Sequence, residues 1–220
     1  MSYNQKHILI YDSETGYNTI ADQYGAYHKH LDSFEKGVFV KFLPKDKENL
    51  AIIDLGAGDG RLYKFLAPLK PARYVACDIA EQLLKKHPDK IEILKHWNIE
   101  RCWNDVEKVV CDLDDTLPFD DESFDLATSF FVLEHIEDVN GLFSEVYRIL
   151  KSWWMMIIGH FIQRREFVWK KDKDQFRIEF YNHRIQDLEK LLKKNFFDLH
   201  VLPIREEGST IGHVIVCKKA

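Results

Sequence analysis

The 220-residue sequence predicts an α/β fold: a doubly wound, mostly parallel seven-stranded sheet with an antiparallel last strand and helices on both faces. Three observations carry this. Short, nearly continuous apolar runs such as Leu50-Ala-Ile-Ile-Asp-Leu55 read as strands buried on both sides. Helical patterns alternate with these runs, which calls for right-handed crossovers between parallel neighbours. The last two strands lie too close in sequence for a helical crossover, so they pair antiparallel.

The elements follow in order. Residues 1–49 precede the sheet and carry helical patterns, Ile20, Tyr24, Tyr27 and Leu31, then Phe34, Val38 and Phe42. They read as an N-terminal helical cap on an α/β domain of residues 50–220. After the first strand, Arg61 to Leu69 reads as a helix with Leu62, Phe65, Leu66 and Leu69 on one face, ending before Pro71. Arg73 to Asp78 is a strand, and Ala80 to His87 a short helix stopped by Pro88. Val106 to Cys111 and Phe124 to Phe131 are further strands, leaving residues 90–104 as an added helix or loop. Gly141 to Leu150 aligns Leu142, Val146 and Leu150 as a helix, and Met155 to Ile158 is the next strand. A charged, aromatic insert follows at about 160–183. Like the N-terminal cap, it is placed to cover the carboxyl edge of the sheet, where open α/β folds bind ligands. A helix from Arg184 to Lys194 leads to strands at Leu199 to Leu202 and His213 to Cys217, joined by the loop Pro203 to Gly212.

Composition narrows the function classes. An apolar share of 45% with 30% charged residues suits a folded enzyme and is wrong for a disordered chain. The net charge of −5 gives no reason to expect nucleic acid or an anionic membrane as partner. The opening residues lack the apolar stretch of a signal peptide and no run approaches a membrane span, so a cytoplasmic protein is expected. Cys77, Cys102, Cys111 and Cys217 form no CxxC pair and no metal-ligand spacing, which predicts reduced, mostly buried thiols and no metal site.

The chemistry points to Asp54-Leu-Gly-Ala-Gly-Asp-Gly60, which follows a strand and leads into a helix. Glycines there let the backbone turn tightly and approach a ligand, and exposed amides at the helix start suit a carboxylate. The spacing is GxGxG rather than the GxGxxG of nicotinamide-binding folds.

That spacing, with Val75-Ala-Cys-Asp78-Ile79, Cys111-Asp112-Leu113, Leu117-Pro118-Phe119 and Phe131-Val-Leu-Glu134-His135, resembles the Rossmann-like S-adenosylmethionine-dependent methyltransferases. The nearest pattern is that of the small-molecule enzymes of ubiquinone and menaquinone biosynthesis, whose opening helix Tyr17 to Tyr24 is similar to. The resemblance spans roughly residues 17–160. It implies S-adenosyl-L-methionine as cofactor, with Asp54, Gly56, Ala57 and Gly58 at the methionine end and Asp78 on the ribose. Asp112, Leu113 and Ile79 would take the adenine, with Phe130 beside the cofactor. By elimination among acceptors, a small-molecule methyl acceptor under the aromatic insert fits best. His135, where the fourth strand ends, is the candidate base; His160 stands similarly at the end of the fifth strand, and Tyr24 and Tyr27 are placed to line the pocket.

Plainer readings stand beside these. Asp78 also suits a helix cap, and Asp112 an acidic turn with Asp114 and Asp115. His135 also fits loop chemistry, and Tyr24 and Tyr27 fit a core stripe. The basic residues Arg164, Arg165, Lys170, Lys171 and Lys173 alternate with acids, as a solvated face does. A protein or RNA methyltransferase and a catalytically silent cofactor-binding subunit are the rival functions. In this family Pro-Gly-Gly usually precedes the fifth strand, where this chain has Lys151-Ser-Trp-Trp154. The two tryptophans would pack under the insert or meet another subunit, for instance in a homodimer.

Overall fold

A computed structural model describes residues 8–26, 34, 38–95, 98–162 and 167–220. Tyr27, Leu31, Arg164 and Arg165 therefore lie outside the described residues. The main sheet is built from β2 (Ala51–Leu55), β3 (Arg73–Asp78), β4 (Lys90–Lys95), β5 (Asn98–Val110), β6 (Phe124–Phe130), β7 (Leu150–Phe161), β10 (Phe196–Glu206) and β11 (Ser209–Lys219). Its order is β10-β11-β7-β6-β2-β3-β5-β4. Strands β5, β3, β2, β6 and β7 run parallel, and β11 is antiparallel to both β7 and β10.

The seven expected strands are all present, and an eighth joins them. Residues 90–104, expected as a helix or loop, instead extend the sheet, with β4 antiparallel to β5. Lys90-Ile-Glu-Ile-Leu-Lys95 is too short for a stable helix and rich in β-branched isoleucine, so a hairpin on the sheet edge wins. The final connection is also tighter than expected. Glu207 and Gly208 both take left-handed backbone, φ 47° and 77°, giving the two-residue turn that matches strand twist. Strands β10 and β11 consequently run to Glu206 and from Ser209.

Alternation along each strand sends neighbouring side chains to opposite faces. Ile53, Val75, Ala127 and Met156 pack beneath α4 (Val139–Ile149) and α5 (Ile185–Asn195) through Val146 and Leu188. Ile52, Tyr74, Leu126 and Ile157 face the other way, against Leu66, Phe34 and Phe39. Each fully buried aliphatic side chain is worth about 1.5–3 kcal/mol, so these two layers supply most of the driving force.

A second, three-stranded sheet sits apart. Here β1 (Leu9–Tyr11) pairs parallel with β9 (Asp174–Ile178), which pairs antiparallel with β8 (Trp169–Lys171). The N-terminal segment and the insert thus share one sheet. Helix α1 (Ser13–Ile20) packs on it through Ile20 against Phe176 and Ile178, and is capped by Asp12, whose carboxylate accepts the Thr15 N–H at 2.7 Å.

Two further expectations change. Cys77 and Cys111 are not both thiols: Cys77 lies on β3 and Cys111 just past the end of β5, with Cα atoms 6.2 Å apart, and they form a disulfide. Their 34-residue separation conceals that adjacency in the sequence. Cys217 is free and buried, which pushes its thiol pKa up. The tryptophans of Lys151-Ser-Trp-Trp154 stand in an irregularity of β7, with Trp153 at φ 68° and 73% exposed. Trp153 meets Phe197 of β10 edge-on at 5.8 Å rather than the insert. Among the described residues no helix is long and apolar enough to cross a membrane.

Gly212 marks a tight joint between strands. A Cβ there would meet the His160 carbonyl oxygen at 2.3 Å and the Phe34 ring at 2.4 Å. Gly212→Ala is expected to open the β7–β11 pairing at a cost of about 1–3 kcal/mol, a fall of roughly 2–12 °C in Tm. Thermal denaturation checks this, and an unchanged Tm would mean the strands part freely.

Candidate active site

The turn after β2 makes the centre of the site. The Gly56 and Ala57 amides donate to the Cys77 carbonyl at 2.7 and 3.0 Å, folding the turn over the end of β3. Gly56 has φ 72°, and a Cβ there would fall 2.1 Å from Val132 Cγ2. Only glycine leaves this cradle open. Gly58, φ 54°, donates its N–H to Asp78 Oδ2 at 2.8 Å, and the Ala80 N–H reaches Asp78 Oδ1 at 2.8 Å. Each carboxylate oxygen keeps a second lone pair for a ligand. The helix after the turn begins only at Tyr63 and runs four residues, α2 (Tyr63–Leu66). The expected helix-end amides are thus replaced by turn amides and side chains.

A cleft opens beside this turn, enclosing about 560 Å³ when the space open to solvent is counted. Gly56, Asp78, Ile79, Asp112, Leu113 and Phe130 all line it, which brings most of the expected ligand residues together. Tyr24 lines it too, and burial beside Asp78 and Asp59 pushes its phenol pKa up. An adjoining recess is lined by Asp54, Ala57, Gly58 and Arg61. Asp112 Oδ1 accepts the Asp114 N–H at 3.0 Å, so the acidic-turn reading is realised at the cleft wall.

Asp54 is 2% exposed, and burial pushes its carboxyl up to about 7. The hydroxyls of Thr128 (2.7 Å) and Tyr74 (3.4 Å) donate to it and oppose that shift. Asp78, pushed up to about 6 chiefly by burial, is held down in part by its two amide donors. A cationic or hydroxyl-bearing ligand would complete both. Glu134 resembles them, buried and pushed up to about 7. Its Oε1 accepts the Phe161 N–H at 2.6 Å, while Oε2 has no hydrogen-bond partner among the described residues.

His135 stands at the end of the loop after β6. Its Nδ1 lies 2.7 Å from the Glu179 carbonyl oxygen, which can only accept, so Nδ1 carries the proton. Nε2 is then an acceptor, and Tyr17 Oη donates to it at 2.7 Å. Both residues line the cleft. Burial holds His135 below the usual imidazole range.

His160 does not join them. It is buried at the end of β7, stacked on His213 at 6.1 Å, and is not among the residues lining the cleft. Tyr27 lies outside the described residues. Sequence reasoning missed Tyr17, Thr128, Tyr74 and Val132 as site residues. Tyr17 had a signal, since it stands seven residues before Tyr24 and so on the same helical face.

The sequence matches the family described as methyltransferase domain over residues 53–153. It is 26% identical over 224 aligned positions to the ubiquinone/menaquinone biosynthesis C-methyltransferase UbiE of Rickettsia akari, covering all of this chain and 76% of that one. The UbiE of Rickettsia bellii is 27% identical over 174 positions, covering 74% of this chain but only 64% of its own length. Among solved structures, a SAM-dependent methyltransferase from Methanosarcina mazei is similar with a TM-score of 0.62 at 20% identity, over 83% of this chain and 97% of that one. A SAM-dependent methyltransferase from Thermotoga maritima, described as a possible histamine N-methyltransferase, is similar with a TM-score of 0.60 at 19% identity, over 94% and 99%.

Proposed function

We propose that this chain is a Rossmann-like (class I) S-adenosylmethionine-dependent methyltransferase and that it methylates a small-molecule acceptor by direct displacement. The observation that carries the reading is the convergence of Gly56, Asp78, Ile79, Asp112 and Leu113 on one cleft, with Asp54 and Gly58 in the adjoining recess. These residues fit the cofactor. The Gly56 cradle admits a backbone-close ligand, and buried Asp54 would offer its carboxylate to the cationic amine of the methionine end, with Ala57 beside it. Asp78 has lone pairs in place for the ribose hydroxyls. Asp112 would accept from the adenine amino group, with Leu113, Ile79 and Phe130 lining the same cleft.

The cofactor supplies a methyl group on a sulfonium, ready for nucleophilic attack. The protein's task is to align the acceptor with it, and good alignment contributes roughly 7–11 kcal/mol of the barrier. The acceptor side is walled by Tyr17, Tyr24, Phe131, Val132, His135 and Ile136. Such an aromatic and apolar wall suits a small, largely apolar acceptor and excludes water from the reacting atoms.

The UbiE relatives are named C-methyltransferases, which favours carbon as the methylated atom. We place the enzyme in the cytoplasm, in line with the absence of a membrane-length apolar helix among the described residues.

Titration calorimetry tests the reading. S-adenosylmethionine and S-adenosylhomocysteine are expected to bind and NAD to give no heat. Binding of NAD alone would overturn the proposal.

A further inference from the structure

We infer that Tyr17 and His135 form a proton relay, in which the Tyr17 hydroxyl meets the acceptor and His135 takes up the proton behind it. This rests on the methyltransferase reading above and adds to it a requirement on the acceptor: its attacking atom must carry a proton to give up.

The hydrogen-bond directions dictate the order. With Nδ1–H committed to the Glu179 carbonyl, His135 has one lone pair, on Nε2, and the Tyr17 hydroxyl already occupies it. An acceptor therefore has no direct access to an imidazole nitrogen. What remains available is Tyr17 Oη, whose lone pairs are not used by its own donation to Nε2. The two rings meet edge-on with centroids 5.2 Å apart and both line the cleft.

The surroundings hold this pair in place. Tyr17 stands on α1, which is tied to the main domain where Asn18 Oδ1 accepts the Gln82 N–H at 2.9 Å and Lys86 pairs with Asp22 at 2.8 Å. Tyr24 and Trp169 flank the Tyr17 ring at 5.5 and 6.2 Å. Glu179 follows β9, so the insert itself sets the histidine tautomer.

Charge explains why two groups serve better than one. Burial, Tyr24, Asp78 and Glu134 all oppose a negative charge on the Tyr17 oxygen, so a lasting phenolate is not formed. A proton must enter Tyr17 as its own leaves. Burial meanwhile keeps His135 neutral near pH 7, with its Nε2 lone pair able to take a proton, and the Glu179 carbonyl stabilises the imidazolium that results. In the reaction an electron pair of the acceptor forms the bond to the methyl carbon, and the carbon–sulfur bond pair returns to sulfur. The acceptor's proton passes to Tyr17 Oη as the Tyr17 proton moves to His135 Nε2. One positive charge thus leaves the sulfonium and one appears on the imidazolium. A tertiary amine, with no proton to lose, would gain nothing from this pair.

Nitrogen-15 NMR of histidine-labelled protein with S-adenosylhomocysteine bound tests the arrangement without any acceptor. His135 is expected as the neutral Nδ1–H tautomer, titrating below free imidazole. In Tyr17→Phe the titration is expected to move upward, because the hydroxyl that stabilises the neutral form is gone. An Nε2–H tautomer, or a titration that does not move, overturns the relay. With a dihydroxybenzene as probe acceptor, Tyr17→Phe and His135→Asn are each expected to lower kcat about 100-fold at unchanged KM for S-adenosylmethionine. A Tyr17→Phe kcat within twofold of wild type also overturns it. Failure of wild-type protein to bind S-adenosylhomocysteine would instead remove the methyltransferase reading, so the two failures are distinct.

Discussion

Asp78→Ala is expected to weaken S-adenosylhomocysteine binding about ten- to a hundredfold, the loss of roughly 1.5–3 kcal/mol of charge-assisted hydrogen bonding. The carboxylate is 8% exposed and already accepts the Gly58 and Ala80 amides. Its removal therefore takes away the proposed ribose acceptor and also releases the turn that carries Gly58. A lower Tm is expected alongside the weaker binding, since two amides lose their acceptor. Calorimetry and thermal denaturation on the same variant separate the effects. Unchanged affinity with a lower Tm would leave Asp78 as a turn-holding residue alone.

The second large effect is on pH. Asp54 and Asp78 are held up to about 7 and about 6, in both cases mainly by burial. A ligand that brings a cationic amine to one and hydroxyl donors to the other binds their ionised forms. Affinity should therefore fall as pH drops through 7 and then 6, by about ten- to twentyfold between pH 8 and pH 6. The ligand-free protein should show the opposite trend in stability. A carboxyl whose folded pKa is raised contributes stability that is fully present below its unfolded value near 4, and lost as pH rises through the folded value. Glu134, held up to about 7, adds to this. Melting temperatures between pH 5 and pH 8 should fall with pH in the free protein, and less so with S-adenosylhomocysteine bound. A pH-independent affinity would show that neither aspartate changes charge on binding.

The parts of this molecule that were legible in its sequence are those fixed by local pattern. The apolar runs at Ile52 and Val75, the glycine turn and Asp78 all report short-range constraints, and each stands where it was expected. What escaped depends on distance across the fold. Thr128 and Tyr74 partner Asp54 from neighbouring strands, and nothing near them in sequence marks that role. The Cys77–Cys111 bond is of the same kind. Tyr17 and Glu179 meet at His135 from segments far apart in the chain. His160 was drawn toward the pocket by its place at a strand end, but its side chain turns to His213 instead. Strand alternation decides that, and a one-residue uncertainty in a strand's phase reverses the answer.

The pairing of β1 with β9 has a consequence for how the chain is made. Leu9–Tyr11 cannot find Phe176–Ile178 until about 160 intervening residues have been synthesised. At roughly 5–20 residues per second this is a wait of about 8–30 s at the ribosome. The central strands, by contrast, can assemble as they emerge, because β2, β3 and β6 join neighbours close behind them. The nascent protein thus builds the glycine-turn edge of its main sheet before the three-stranded sheet can form, and adds β10 and β11 last. During that interval Leu9–Tyr11 lacks its partner strand, and α1, which brings Tyr17 to the cleft, lacks the sheet it packs on.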